Sequence, residues 1–134
     1  MTALPEAGHP VLVVDDDDTV RAGMLGLLHA AGYVAHGYAS AAAVLDATDA
    51  TDATCAHCAV LDIHIGQPDG FALRESLRAL APRLPVIFVT GDDDPALAHR
   101  AAAAGALSLL LKPVDADCLL ALIDAIPGAP DMLQ

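Results

Sequence analysis

The stretch VLVVDDDDTV, Val11 to Val20, sets four aliphatic residues directly before four aspartates. A short aliphatic run without polar alternation reads as a strand buried on both faces. Neighbouring carboxylates about 6 Å apart repel by roughly 1–3 kcal/mol at intermediate dielectric. A chain that stacks them where a buried strand ends needs a cation, a helix N-terminus, or both, to offset the repulsion. Taken alone, the run reads as a solvated acidic turn capping a helix, whose N-terminal dipole favours negative charge.

Working outward, the same pattern returns. Val20, Met24, Leu27, Leu28 and Ala31 recur at helical spacing, and Gly32 stops that helix. Tyr33 to Tyr38 is a weaker strand that reads as an edge, and Ser40 is placed to cap a helix over Ala41 to Asp46. Thr48 to Thr54, rich in Asp and Thr, reads as a loop. Ala59 to Leu61, with Cys58 before it, makes a third strand, and Phe71, Leu73, Leu77 and Leu80 mark the next helix. Pro82 and Pro85 bracket the turn into a fourth strand, Val86 to Val89. Asp94 before Pro95 predicts a helix start, with a side-chain acceptor at the N-cap and proline at the first turn. That helix runs to near Gly105, and Leu107 to Leu111 is the fifth strand. Asp115 caps a last helix carrying Leu119, Leu122, Ile123 and Ile126, which Pro127-Gly128 ends. Five strands, each followed by a helix, imply an α/β fold with a parallel sheet covered on both faces and right-handed crossovers. Ligands of such sheets bind beyond the carboxyl ends of the strands.

Composition narrows the function. A chain of 134 residues suggests one domain: residues 9–127, flanked by tails at 1–8 and 128–134. The net charge of −12 argues against direct nucleic-acid binding and suits a divalent cation or a basic protein surface. The longest nearly apolar stretch, the 11 residues from Ala101 to Leu111, falls short of the roughly 20 that span a bilayer. No secretory signal is visible in MTALPEAGHP, and three cysteines are an odd count for a disulfide framework, so a reduced cytoplasm is expected. Cys55-Ala56-His57-Cys58 could be a redox pair or half of a zinc site. It lacks a second C-x-x-C and enters a strand rather than a helix N-terminus, so small half-buried residues at a strand start are the plainer reading. Cys118, i, i+4 from Leu122, reads as packing.

The strand ends hold the chemistry. Strand one ends at Asp15 and Asp16, strand three at Asp62, strand four at Thr90 beside Gly91, and strand five at Lys112 beside Pro113. If these strands are neighbours, three carboxylates, a hydroxyl and an ammonium converge. Clustered carboxylates suit a hard cation such as Mg²⁺, and a carboxylate can accept a phosphoryl group covalently. Lysine and metal would neutralise the transferring oxygens, threonine would donate a hydrogen bond to one, and the glycine would leave room for entry. Asp17 or Asp18 is free to cap the first helix.

The ordered set VLVVDD at Val11 to Asp16, LDIHIGQPDG at Leu61 to Gly70, PVIFVTG at Pro85 to Gly91 and LLLKPV at Leu109 to Val114 resembles the receiver domain of bacterial two-component response regulators. The resemblance covers residues 9–127, nearly the whole chain. It implies a flavodoxin-like doubly wound sheet of order 2-1-3-4-5 with five helices. It implies that Asp62 takes a phosphoryl group from a histidine kinase or a histidine phosphotransfer protein. Asp16, Asp62 and the main-chain carbonyl of His64 are expected to bind Mg²⁺ directly, and Asp15 partly through water. Thr90 and Lys112 are expected on the phosphoryl oxygens, and the Lys112-Pro113 bond to be cis. His64 and Asp92 occupy positions that tune the loss of the phosphoryl group to water.

Two departures stand out. Ile65-Gly66 replaces the Met-Pro often found there, with proline delayed to Pro68. Leu109 stands three before Lys112, where the family usually carries the Phe or Tyr that swings inward on activation; leucine has no ring face or hydroxyl to display. The expectation is a stand-alone receiver, a monomer or weak dimer. Its only catalysis would be its own Mg²⁺-dependent phosphorylation and dephosphorylation. It would signal through the face of helix four, strand five and helix five. A receiver whose output domain lies outside this sequence is also compatible with these residues. The alternative is a phosphorylation-independent pseudo-receiver.

Overall fold

The computed structural model describes residues 9–47 and 55–127. The strands are β1 Val11–Val14, β2 Ala35–Tyr38, β3 Cys58–Asp62, β4 Val86–Thr90 and β5 Ser108–Leu111. The helices among the described residues are α1 Asp18–Ala30, α2 Ala41–Ala47, α3 Gly70–Leu80, α4 Pro95–Ala103 and α5 Ala116–Asp124. The sheet is parallel throughout, in the order β2-β1-β3-β4-β5. This is the doubly wound, flavodoxin-like arrangement expected. The readings of Thr48 to Thr54 as a loop and of 1–8 and 128–134 as tails lie outside the described residues.

Burial explains the uninterrupted apolar runs. Every residue of β1, β3 and β4 is buried, because helices cover both faces of the sheet. One face packs Leu12, Val14, Leu61 and Phe88 against Leu73 and Leu77 of α3 and Leu97 of α4. The other packs Val11, Val13, Val60 and Ile87 against Met24 and Leu28 of α1 and Leu119 and Ile123 of α5. Successive strand residues alternate between these two cores, as the pleat requires.

The helix starts are built by aspartates. Asp17 caps α1, accepting from the Thr19 and Val20 amides at 2.9 and 3.0 Å. Asp69, Asp94 and Asp115 cap α3, α4 and α5 in the same way, and Ser40 Oγ accepts from the Ala43 amide at 3.0 Å.

Three details differ from the sequence reading. β2 begins at Ala35 because the Tyr33 amide bonds back to the Leu28 carbonyl at 3.0 Å, closing α1 beyond Gly32, whose φ is 94°. β5 begins at Ser108, one residue later than expected, although the Leu107 amide still bonds the Val86 carbonyl at 2.8 Å. Cys118 is exposed rather than packed. α5 turns Leu119 and Ile123 inward, and the residue before Leu119 lies about 100° round the helix from that stripe.

Candidate functional site

The strand order places β1, β3, β4 and β5 so that Asp15, Asp62, Thr90 and Lys112 meet at the carboxyl edge of the sheet. Asp15, Asp62 and Thr90 are 1%, 4% and 0% exposed, whereas Asp16 is open to solvent. The Lys112 ammonium lies 2.9 Å from Asp15 Oδ2 and 3.0 Å from Asp62 Oδ2, bridging the two buried carboxylates. The Asp17 amide donates to Asp15 Oδ1 at 2.9 Å and the His64 amide to Asp62 Oδ1 at 3.1 Å. Thr90 accepts on Oγ1 from the Asp92 amide at 3.0 Å, which leaves its hydroxyl proton free to donate elsewhere. The Thr90 carbonyl accepts from the Lys112 amide at 2.8 Å, fixing β5 against β4 where the lysine emerges.

Burial raises the Asp62 pKa above its ordinary value; the Lys112 and His64 bonds pull against that shift, and the Asp15 charge adds to it. Burial alone would lower the Lys112 ammonium, but its bonds to Asp15 and Asp62 outweigh that and leave it raised. The lysine is therefore held charged.

The donor set fits a hard divalent cation. One carboxylate oxygen each from Asp15, Asp16 and Asp62 can be chosen so that all lie within 4.8 Å of one another. Three carboxylates against one ammonium leave two negative charges. Asp15 Oδ2 is buried, and its one close partner, the Lys112 ammonium at 2.9 Å, is poorly aligned for a hydrogen bond. A small oxygen-seeking cation would satisfy that atom and the residual charge together.

Other parts of the site were not read from the sequence. A Cβ on Gly70 would lie 2.5 Å from the Asp62 carbonyl oxygen and 2.8 Å from Ile63 Cα, so only glycine lets α3 start against the end of β3. At Gly91, where room for an entering group was expected, a Cβ would meet nothing within 4 Å; the space is open whether or not the residue is glycine. Arg21 donates to the Asp15 carbonyl at 2.8 Å and pairs with Asp18 at 2.5 Å, steadying the acidic turn. The Lys112-Pro113 bond is cis as expected, and Gln67-Pro68 is cis as well. Leu109 is half-buried and packs against the core that holds Phe88.

The C-x-x-C pair is split. Cys55 is exposed, whereas Cys58 is wholly buried and His57 nearly so, which corrects the half-buried reading. His57 Nε2–H donates to the Ile123 carbonyl at 3.0 Å, and the ring lies 5.5 Å from that of Tyr33, whose hydroxyl bonds Asp124. This motif ties the amino edge of the sheet to α5. Burial pushes the Cys58 thiol up to about 12. Under native conditions a thiol reagent should therefore titrate Cys55 and Cys118 quickly and Cys58 only on unfolding. The linkage has a sign: Cys58 stays protonated in the folded state, so its contribution is complete below pH 9.0 and is lost as pH rises from there to about 12. This thiol should lower stability over that window by about 1.4 kcal/mol per pH unit, and Cys58→Ala should remove that share of the slope in urea titrations, leaving the part set by the raised Tyr33 hydroxyl.

The family model for the response regulator receiver domain matches residues 11–124. The chain belongs to that family. It is 37% identical over 119 residues to the transcriptional regulatory protein FixJ of Azorhizobium caulinodans, covering 89% of this chain and 55% of the relative. It is 36% identical over 120 residues to the C4-dicarboxylate transport transcriptional regulatory protein DctD of Rhizobium meliloti, covering 90% of this chain and 25% of that protein. The chain thus spans about half of one relative and a quarter of the other. Among solved structures, a response regulator receiver protein from Burkholderia phymatum superposes with a TM-score of 0.78 at 32% identity, covering 92% of this chain and 98% of that one. A receiver domain protein from Clostridium thermocellum superposes with a TM-score of 0.80 at 25% identity, covering 87% and 91%. No helix among the described residues is long and apolar enough to cross a membrane.

Proposed function

We propose that this receiver accepts a phosphoryl group on Asp62 from a phosphohistidine donor, either a histidine kinase or a histidine phosphotransfer protein. It would act in the cytoplasm and signal through protein contacts on α4, β5 and α5. The observation that carries this reading is the buried Asp62 carboxylate, bridged to Asp15 by one lysine, with an oxygen each of Asp15, Asp16 and Asp62 within 4.8 Å of one another. Asp15, Asp16 and Asp62, with the His64 main-chain carbonyl, would hold Mg²⁺, which when bound neutralises charge on the phosphoryl oxygens. A carboxylate oxygen of Asp62 forms the new P–O bond as the P–N bond to the donor imidazole breaks. The electron pair of the broken bond stays with the ring, which leaves neutral when its other nitrogen carries a proton. Lys112 turns its charge towards the arriving oxygens, and the Thr90 hydroxyl donates to one of them. The reaction is transfer onto the protein itself; the domain is a signalling module rather than an enzyme that turns over a separate substrate.

The test is intact mass after incubation with acetyl phosphate and Mg²⁺. The wild-type protein should gain the mass of one phosphoryl group and Asp62→Asn none. If neither gains, at early times as well as late, and a beryllofluoride mimic also fails to bind, the phosphorylation-independent pseudo-receiver takes its place.

A further inference from the structure

Two large hydrophobic side chains are exposed among the described residues, Leu107 at 49% and Leu111 at 50%. Single apolar residues on a surface are ordinary, but these two are not scattered. They flank Leu109 at two-residue spacing, Leu107 just before β5 and Leu111 at its end, and alternation puts all three on one side of this outer strand. A groove of about 180 Å³ lies beside Leu109 and Leu111, lined by these two, Pro95 and Ala98 of α4, and Asp92, Asp93 and Asp94. No basic residue lines it, and none of these carboxylates joins an ion pair among the described residues. Asp92 and Asp94 each accept one backbone amide, which leaves their charge in place.

We propose that this groove docks a cationic segment of a partner protein. Its lysine or arginine side chains would face Asp92, Asp93 and Asp94, and its aliphatic side chains would cover Leu107, Leu109 and Leu111. Charge complementarity selects the occupant: a triple carboxylate repels acidic segments and nucleic-acid phosphates, and speeds the approach of basic ones. The leucines supply the contact that turns attraction into a defined register. The inference names the partner chemistry of the signalling face proposed above, yet its test needs no phosphorylation and can be run on Asp62→Asn.

The probes are three synthetic peptides: one of lysines and leucines, one with glutamate for each lysine, and one with serine for each leucine. Binding is followed by amide chemical shifts of the isotopically labelled protein. The lysine–leucine peptide should shift residues 92–98 and 107–111, and the other two should bind about tenfold more weakly or not at all. Leu107→Ser combined with Leu111→Ser should weaken binding about tenfold with little change in melting temperature, since both side chains are half in solvent. Asp93→Lys should weaken it too, more so at low salt. Shifts spread evenly over all acidic surfaces, equal binding of the glutamate peptide, or undiminished binding by the leucine variant would each overturn the proposal. Either result leaves the acetyl phosphate test of Asp62 untouched.

Discussion

Lys112→Ala is expected to lower the unfolding free energy by about 3 kcal/mol, read as a drop in the urea midpoint with little change in slope. The ammonium is the common partner of Asp15 Oδ2 and Asp62 Oδ2, at 2.9 and 3.0 Å. Without it, two carboxylates that are 1% and 4% exposed remain beside each other with no other ion-pair partner among the described residues. Removing one partner of a buried pair costs about 3–5 kcal/mol, and the lower end applies because the lysine side chain is 23% exposed and solvent screens part of the field. A second readout separates this cause from lost packing. Mg²⁺ should raise the melting temperature of Lys112→Ala by more than that of the wild type, because the cation then meets the carboxylates without a competing ammonium. An equal rise in both proteins would mean that lysine and metal do not share the same charges. Asp15→Asn in the Lys112→Ala background should recover part of the lost stability, since it removes one of the two stranded charges.

Gly70→Ala should destabilise by about 1–3 kcal/mol, at the upper end of that range, although it adds only a methyl group. The new Cβ would meet backbone atoms, the Asp62 carbonyl oxygen at 2.5 Å and Ile63 Cα at 2.8 Å, which cannot swing aside as a side chain can. α3 would have to withdraw from β3, stretching the 2.9 Å bond from the Gly70 amide to the Ile63 carbonyl. Because that contact sits directly behind Asp62, the variant should also gain its phosphoryl group more slowly than wild type. Gly26→Ala is the control. It lies within α1 with nothing within 4 Å of its Cβ position, so the same change should stabilise by up to about 1 kcal/mol. Opposite signs for one substitution at two glycines would show that local space, not glycine content, governs the outcome. Matching signs in thermal melts would contradict the geometry.

The site was legible because its buried residues each follow an aliphatic run. VLVV, CAVL and VIFV are too short and too uniformly apolar to be anything but buried strands in a chain that alternates them with helical patterns. The residue that follows each run must then emerge at the carboxyl edge. Asp15, Asp62, Thr90 and Lys112 could be named on that ground, and the Asp94-Pro95 helix start was equally plain. His57, Cys58 and Cys118 were harder. Whether a small or polar residue is covered depends on what packs over it, and His57 is covered because its ring reaches the Ile123 carbonyl 66 positions along the chain.

The sequence alone therefore determines the alternation of strands and helices, the capping of the helices and the identity of the groups at the strand ends, because these follow from local periodicity and side-chain chemistry. Only the tertiary structure decides that Lys112 holds two carboxylates at once, that Gly70 must lack a side chain, and that Leu107 and Leu111 stay in solvent beside Asp92, Asp93 and Asp94. Each of these depends on how separate elements of the fold are placed against one another. That placement is set by strand order and packing, for which no local pattern of residues carries a signal.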